Sequence, residues 1–129
     1  CMAITCRRGD CMKRVILDTN AIMATAQFKI DVFDQLHGYD VFIVQGTLDE
    51  LHQIMKEGKG KNKLAAKLGL QLLSAKKIDI LPSEGHVDDV LVAYNLKGYG
   101  VLTQDVGLKR RLVNSYFTIR QKKYIIEIK

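Results

Sequence analysis

Several features that would narrow the function class are scarce or missing in this sequence. Its 129 residues include no tryptophan and one proline, and no apolar run approaches the roughly 20 residues that cross a bilayer. The three cysteines (Cys1, Cys6 and Cys11) all lie near the start, and no later Cys and His cluster has zinc-ligand spacing. We therefore expect neither a disulfide framework, a zinc module nor a secretory signal, and we predict a cytoplasmic protein without membrane contact.

The motifs of several common enzyme classes are also missing. The chain has no GxSxG serine elbow, no GxGxxG dinucleotide fingerprint and no GxxxxGK[ST] phosphate loop. The three histidines, His37, His52 and His86, are not spaced as a metal triad, and we interpret them as surface or packing residues. Any hydrolytic chemistry would therefore have to use something other than a nucleophilic serine.

What is present is typical of one globular domain. Hydrophobic residues make up 47% of the chain and charged residues 26%. Met12 opens the segment MKRVILDTN, which resembles a natural start just before a first strand. We therefore interpret residues 1–11 as a mobile leader or cloning extension and residues 12–129 as a single domain.

The net charge of +6 is unevenly distributed. Residues 56–77 and residues 109–129 each carry a net charge of +6, so the remaining residues together carry −6. One Lys-rich run is ordinary on a solvated helix. Two such runs beside acidic segments favour a nucleic-acid-binding protein that also contains a metal site.

Apolar runs alternate with helical patterns along the chain. The predicted strands are 15–17, 41–44, 78–81, 101–103, 117–119 and 124–128, and the predicted helices are 19–26, 31–36, 47–56, 63–75, 87–96 and 108–113. This alternation predicts an α/β fold, a three-layer α/β/α sandwich around a mainly parallel central sheet. In such folds the functional crevice lies at the carboxyl ends of the strands.

Acidic residues occur at this predicted crevice. Asp18 follows the first strand, and Asp105 follows the fourth. Glu50 lies in the first turn of the helix after the second strand, and Asp88 and Asp89 open the helix before the fourth. Clustered carboxylates repel one another unless a cation neutralises them, and oxygen-only ligands favour Mg²⁺ or Mn²⁺. Such ions activate water for in-line attack on a phosphodiester.

Each acid also has a plainer explanation. Asp18 and Asp105 would cap the helices that follow them. Glu50 stands three residues after Thr47, the spacing of a capping box. Asp88 and Asp89, called the DD pair below, would be stabilised by the positive end of the helix dipole at the start of their helix. Taken singly, each acid is explained as well by a capping or dipole role as by a metal-binding role. Only their joint placement at strand ends and helix starts indicates a metal site.

Four segments resemble the PIN-domain family. They are VILDTNAIM (15–23), TLDELHQI (47–54), HVDDVLVAYN (86–95) and GVLTQDVGLKRRL (100–112). They occur in the family's order, and together they span nearly all of residues 15–112. The resemblance implies a PIN-like fold and an endoribonuclease that uses Mg²⁺ or Mn²⁺ to cleave single-stranded or structured RNA.

The resemblance also implies roles for individual residues. The catalytic and metal-binding acids would be Asp18, Glu50, Asp105 and one of Asp88 and Asp89, and the accessory polar residues would be Asn20 and Thr103. Because adjacent helical residues point about 100° apart, only one aspartate of the DD pair faces the metal, and we favour Asp89. RNA contacts are expected from Lys59, Lys61, Lys63, Lys67, Lys109, Arg110 and Arg111.

The DD pair and the LKRRL segment are more similar to the branch that processes small-subunit ribosomal RNA than to VapC toxins. Toxin-type members more often have a further Asp and a Phe after the T-x-D motif, where this chain has Gly107 and Leu108. The number of metal ions, one or two, therefore stays open. We predict a metal-dependent endoribonuclease of ribosomal RNA processing that works with a pre-ribosomal partner. A toxin paired with an antitoxin and a non-catalytic RNA-binding module are the alternatives, and homodimerisation stays open.

Overall fold

The strands of the chain form one six-stranded sheet. The computed structural model describes residues 14–121 and 123–128, so the predicted extension at residues 1–11 lies outside the described residues. The strands are β1 (Arg14–Leu17), β2 (Asp40–Val44), β3 (Asp79–Leu81), β4 (Gly100–Leu102), β5 (Tyr116–Arg120) and β6 (Tyr124–Ile128), in the spatial order β3-β2-β1-β4-β5-β6. Strands β1 to β5 pair in parallel, and β6 pairs with β5 in antiparallel fashion. The prediction of a mainly parallel sheet is confirmed.

Helices cover both faces of this sheet. They are α1 (Thr19–Phe28), α2 (Val32–Gln35), α3 (Gln45–Glu57), α4 (Gly60–Ala75), α5 (Val87–Leu96) and α6 (Val106–Arg111). On β1, Val15 and Leu17 pack into a core with α1, α3 and α4, whereas Ile16 packs on the opposite face with Leu91 of α5 and Leu108 of α6. Successive strand residues point to opposite faces. This alternation produces the predicted three-layer sandwich.

Three helix starts differ from the sequence-based prediction by two or more residues. Helix α4 begins at Gly60, three residues before its predicted start. Helix α3 begins at Gln45 rather than at Thr47, and its N-cap residue Val44 makes no side-chain capping bond. The predicted capping box is therefore wrong. Helix α6 begins at Val106 rather than at residue 108, because the Oδ1 atom of Asp105 accepts hydrogen bonds from the first backbone N–H groups of the helix.

The strand order determines where a crevice forms. Strands β1 and β4 are neighbours, and the chain continues from β1 towards one edge of the sheet and from β4 towards the other. In open parallel sheets such a switch point leaves a crevice at the carboxyl ends of the two strands. The residues that follow β1 and β4 are Asp18 and Thr103, and the backbone N–H of Asp18 donates to the Leu102 carbonyl at 3.0 Å. Within the described residues no helix is both long and apolar enough to cross a membrane.

Candidate active site

Four acidic side chains line one pocket of about 470 Å³ at this crevice. They are Asp18, Glu50, Asp88 and Asp105, and they come from four separate places in the chain. Asn20, one of the predicted accessory residues, is exposed and lines the same pocket. The topology thus brings together the acids that the sequence places at strand ends and helix starts.

Asp18 is the most buried of these acids, with 4% of its surface exposed. Its Oδ1 atom accepts a hydrogen bond from the backbone N–H of Thr19 at 2.7 Å, and its Oδ2 atom accepts one from the Thr103 hydroxyl at 2.8 Å. The first of these bonds caps α1, so Asp18 is a helix cap and a pocket residue at once. With both oxygens bonded, the carboxylate has one fixed orientation.

Burial raises the pKa of the Asp18 carboxyl from 3.8 to about 6. The hydrogen bonds from Thr103 and Thr19 lower this pKa, and the negative charges of Asp88 and Glu50 raise it. Because the pKa rises overall, the hydrogen bonds from Thr103 and Thr19 stabilise the ionised carboxylate less than the loss of its hydration destabilises it. The ionised form of Asp18 is therefore under-compensated in the protein alone, and a cation in the pocket would favour it.

Thr103 connects Asp18 to Asp105. Its side chain is fully buried, and its Oγ1 atom accepts a hydrogen bond from the backbone N–H of Asp105 at 3.1 Å while donating to Asp18. The Asp105 carboxylate accepts from the backbone N–H groups of Gly107 at 2.8 Å and Leu108 at 3.3 Å. Thr103 lies just beyond β4 and was predicted as an accessory residue. Its hydroxyl is hydrogen-bonded to both Asp18 and Asp105, which fixes the position of one acid relative to the other.

Thr19 is a pocket residue that sequence reasoning missed. It is buried, and its hydroxyl donates a short hydrogen bond to the Oε1 atom of Glu50. Its backbone N–H simultaneously donates to Asp18. Thr19 and Glu50 are 31 positions apart, so no local pattern signals this contact.

The geometry favours Asp88 over Asp89 as the third acid, which reverses our sequence-based preference. Asp88 lines the acidic pocket and contributes to the raised pKa of Asp18. Asp89 is turned away and accepts a hydrogen bond from Arg111 at 2.6 Å, which lowers the pKa of its carboxyl. Of the two adjacent aspartates, the structure therefore places Asp88 and not Asp89 in the acidic pocket.

The pocket fits a hydrated divalent cation. Among residues 14–121 and 123–128, no three His, Cys, Asp or Glu side chains stand close enough together to form a ready-made metal-binding group. Mg²⁺, however, usually keeps several of its water ligands and binds through one or two carboxylates. A volume of about 470 Å³ has room for an ion with such waters. The oxygen donors and the under-compensated charge of Asp18 are both suited to a hard cation.

The predicted RNA-binding cations occupy three different environments. The lysines of residues 59–67 are exposed at the start of α4, and Lys61 lines a groove against α1. Lys109 donates to the Thr118 hydroxyl at 2.9 Å, and partial burial lowers its pKa. Arg110 is exposed. Arg111 lines a second pocket, of about 330 Å³, which shares Glu50 and Asp88 with the acidic pocket.

Comparisons with known proteins agree with this geometry. A family model described as "PIN like domain" matches residues 15–122, a range that contains all the acids of the pocket. The chain is also 30% identical over 108 residues to "Ribonuclease VapC9" of Archaeoglobus fulgidus, an alignment that covers 81% of this chain and 78% of that protein. Because this relative is a VapC protein, the comparison does not support the predicted closeness to the ribosomal RNA-processing branch. The family match over most of the chain shows that this protein belongs to the PIN-like domain family.

Proposed function

We propose that this protein is a metal-dependent endoribonuclease that hydrolyses phosphodiester bonds of RNA. The observation that carries the proposal is the convergence of the buried Asp18 carboxylate with Glu50, Asp88 and Asp105 on one pocket. Membership of the PIN-like family and the similarity to a protein named as a ribonuclease support the same activity.

The residues of the pocket have separable tasks in this proposal. Mg²⁺ or Mn²⁺ would be held by water and by one or two of the four carboxylates, Asp18 among them. When bound, the ion would supply an activated water and stabilise the negative charge that develops on the phosphodiester. Thr103 and Thr19 fix the orientations of Asp18 and Glu50 through the hydrogen bonds described above.

A water-activating site of this kind needs no nucleophilic side chain. That agrees with the lack of a serine elbow in the sequence. Asn20, which lines the same pocket, would orient a water or a phosphate oxygen. Gly107 stands where toxin-type members more often have a further acid, so we propose one firmly held ion rather than two.

The biological role divides into two proposals. The VapC name of the relative favours a toxin-type ribonuclease, and an antitoxin would then be the protein partner. The DD pair and the LKRRL segment motivate the other proposal, a processing enzyme that acts on ribosomal RNA with a pre-ribosomal partner. Sequencing the RNA ends generated by the active protein in its host distinguishes them, because a processing enzyme produces mature ribosomal ends and a toxin produces internal breaks.

The activity itself is tested with a pair of adjacent acids on α3. Purified protein is incubated with single-stranded and structured RNA, with Mn²⁺ or with a chelator, and cleavage is followed on gels. Glu50→Gln removes a carboxylate from the pocket, whereas Asp49→Asn changes the preceding acid, which is exposed and bonds to Gln45. We expect Mn²⁺-dependent cleavage that falls by at least about 100-fold in Glu50→Gln and by less than about 2-fold in Asp49→Asn. Equal activity of the wild type and Glu50→Gln would contradict the proposal.

A further inference from the structure

A second polar pocket adjoins the acidic one. Its volume is about 330 Å³, and Glu50 and Asp88 line both pockets. On its far side lie Asp89 and Arg111, whose carboxylate oxygen and guanidinium nitrogen are 2.6 Å apart. Because the two pockets share these residues, an RNA strand that entered the acidic pocket would pass beside the second one.

The ion pair joins the DD pair to the LKRRL segment, the two features that distinguish this sequence from VapC toxins in the sequence analysis. Asp89 comes from the DD pair at the start of α5, and Arg111 comes from the LKRRL segment at the end of α6. Asp105, the N-cap residue of α6, lines the acidic pocket, and Arg111, the last residue of α6, lines the second pocket. A helix of six residues spans about 9 Å, so a charge of each sign is fixed at the two ends of one short rigid element.

The pair is exposed and therefore easily exchanged. The side chains of Arg111 and Asp89 are 47% and 60% exposed, respectively. Exposed ion pairs hold their partners weakly and are screened by salt. A guanidinium group, in contrast, binds a phosphate through two parallel hydrogen bonds. An incoming phosphate can thus replace the Asp89 carboxylate without any change in the fold.

We propose that Arg111 binds a non-scissile phosphate of the RNA, and that Asp89 competes with that phosphate for Arg111. This inference rests on the proposed function, because it assumes that RNA enters the adjoining acidic pocket. Asp89 then lowers the affinity for RNA and does not take part in the proposed metal site. The two aspartates of the DD pair have different tasks.

RNA binding can be measured separately from cleavage. A fluorescent single-stranded RNA is titrated with protein that carries Asp18→Asn, and the dissociation constant is read from fluorescence anisotropy at several salt concentrations. Into this background are placed Arg111→Gln, Arg111→Lys, Asp89→Asn and the double variant. Arg110→Gln removes the adjacent exposed cation on α6, which lines neither pocket, and so measures the effect of losing a positive charge at a general RNA-facing position. Glu84→Gln, an exposed acid ahead of α5, is the control for loss of a negative charge.

We expect Arg111→Gln to weaken binding by about 5- to 10-fold and to reduce the salt slope by about 1. Arg110→Gln should weaken binding by about 2-fold or less, and Arg111→Lys should fall between the two, because lysine keeps the charge but loses the paired hydrogen bonds. Asp89→Asn should tighten binding by about 3-fold, more than Glu84→Gln does, because Arg111 is released. In the Arg111→Gln background this extra gain should vanish.

Two results would overturn the inference. One is equal weakening by Arg111→Gln and Arg110→Gln, which would show that both belong to a diffuse basic surface. The other is weaker RNA binding by Asp89→Asn, which would show that the intact ion pair is needed. Unchanged melting temperatures check that the variants are folded. Failure of the proposed function is visible separately, as a lack of Mn²⁺-dependent cleavage by the chain with Asp18 intact.

Discussion

Replacing Asp18 by Asn should stabilise the metal-free protein at neutral pH while removing its response to metal. The carboxyl pKa of Asp18 rises from 3.8 to about 6 because the group is buried. A difference of this size corresponds to about 3 kcal/mol of cost to the folded state when the group is ionised. Asparagine carries no charge and avoids this cost.

The sign of the pH dependence follows from the direction of the shift. A group whose pKa is higher in the folded state binds its proton more tightly there. Its contribution to stability is therefore largest below about pH 3.8 and is lost as the pH rises through about 6. The advantage of Asp18→Asn should appear at pH 8 and become small near pH 4, where the carboxyl of the folded wild type is protonated.

Hydrogen bonding reduces the gain. The asparagine oxygen still accepts from the Thr19 N–H, but its amide must donate to the Thr103 hydroxyl oxygen, which already accepts from Asp105. This rearrangement costs about 1 kcal/mol, which leaves a net stabilisation of about 2 kcal/mol at pH 8. For a chain of 129 residues that corresponds to a rise in melting temperature of about 5–10 °C.

The assay is thermal unfolding followed by circular dichroism, with chelator or with Mn²⁺, at pH 8 and pH 4. Mn²⁺ should raise the melting temperature of the wild type at pH 8, because a ligand of the folded state stabilises it. It should leave that of Asp18→Asn nearly unchanged. A lower melting temperature for Asp18→Asn in chelator at pH 8, or an equal response to Mn²⁺, would refute the reasoning.

Substitutions at Thr103 and Asn95 test two further buried polar side chains. Thr103→Val removes the hydroxyl that bonds to Asp18, so the rate of Mn²⁺-dependent cleavage should fall by about 10- to 100-fold. Thr103→Ser keeps the hydroxyl and should retain most of the rate. Equal rates for the two variants would contradict an orienting role. Asn95 is fully buried and its amide bonds to the backbone of Tyr99, Val113, Asn114 and Ser115. Asn95→Ala should lower the free energy of unfolding by about 2–4 kcal/mol in urea denaturation because it leaves these groups unsatisfied; a loss below about 1 kcal/mol would show that water replaces the amide.

The layers of the fold were predictable because they depend on local pattern. Short apolar runs rich in β-branched residues, such as Val15 to Leu17, are typical of buried strands, and the segments between them have helical spacing. The alternation of the two predicts a parallel sheet. Once that sheet is assumed, the position of Asp18 at a strand end follows without further information.

The helix start before Glu50 was not predictable, because a distant part of the chain sets it. The backbone N–H of Gly46 donates to the Ser83 hydroxyl at 2.8 Å, and a Cβ atom at Gly46 would lie 2.8 Å from a methyl carbon of Val87. This close approach lets α3 begin ahead of Thr47. The capping-box pattern is therefore present in the sequence but is not used.

The choice between Asp88 and Asp89 also depends on tertiary packing and was not predictable from local sequence. Helical geometry allows only one of them to face the pocket, and the packing of Val87 and Leu91 of α5 into the core decides which. The contact between Thr19 and Glu50 likewise joins residues that are distant in sequence. Sequence reasoning predicted the acids that could meet, whereas their partners depend on tertiary packing.

The central claim is that Asp18 and its neighbouring acids support metal-dependent RNA cleavage. The most direct measurement is the single-turnover cleavage rate of wild type and Asp18→Asn across a range of Mn²⁺ concentrations, with RNA binding measured in parallel by anisotropy. We predict cleavage that depends on Mn²⁺ in the wild type and none in Asp18→Asn, while RNA affinity is retained. Undiminished cleavage by a folded Asp18→Asn protein would contradict the claim.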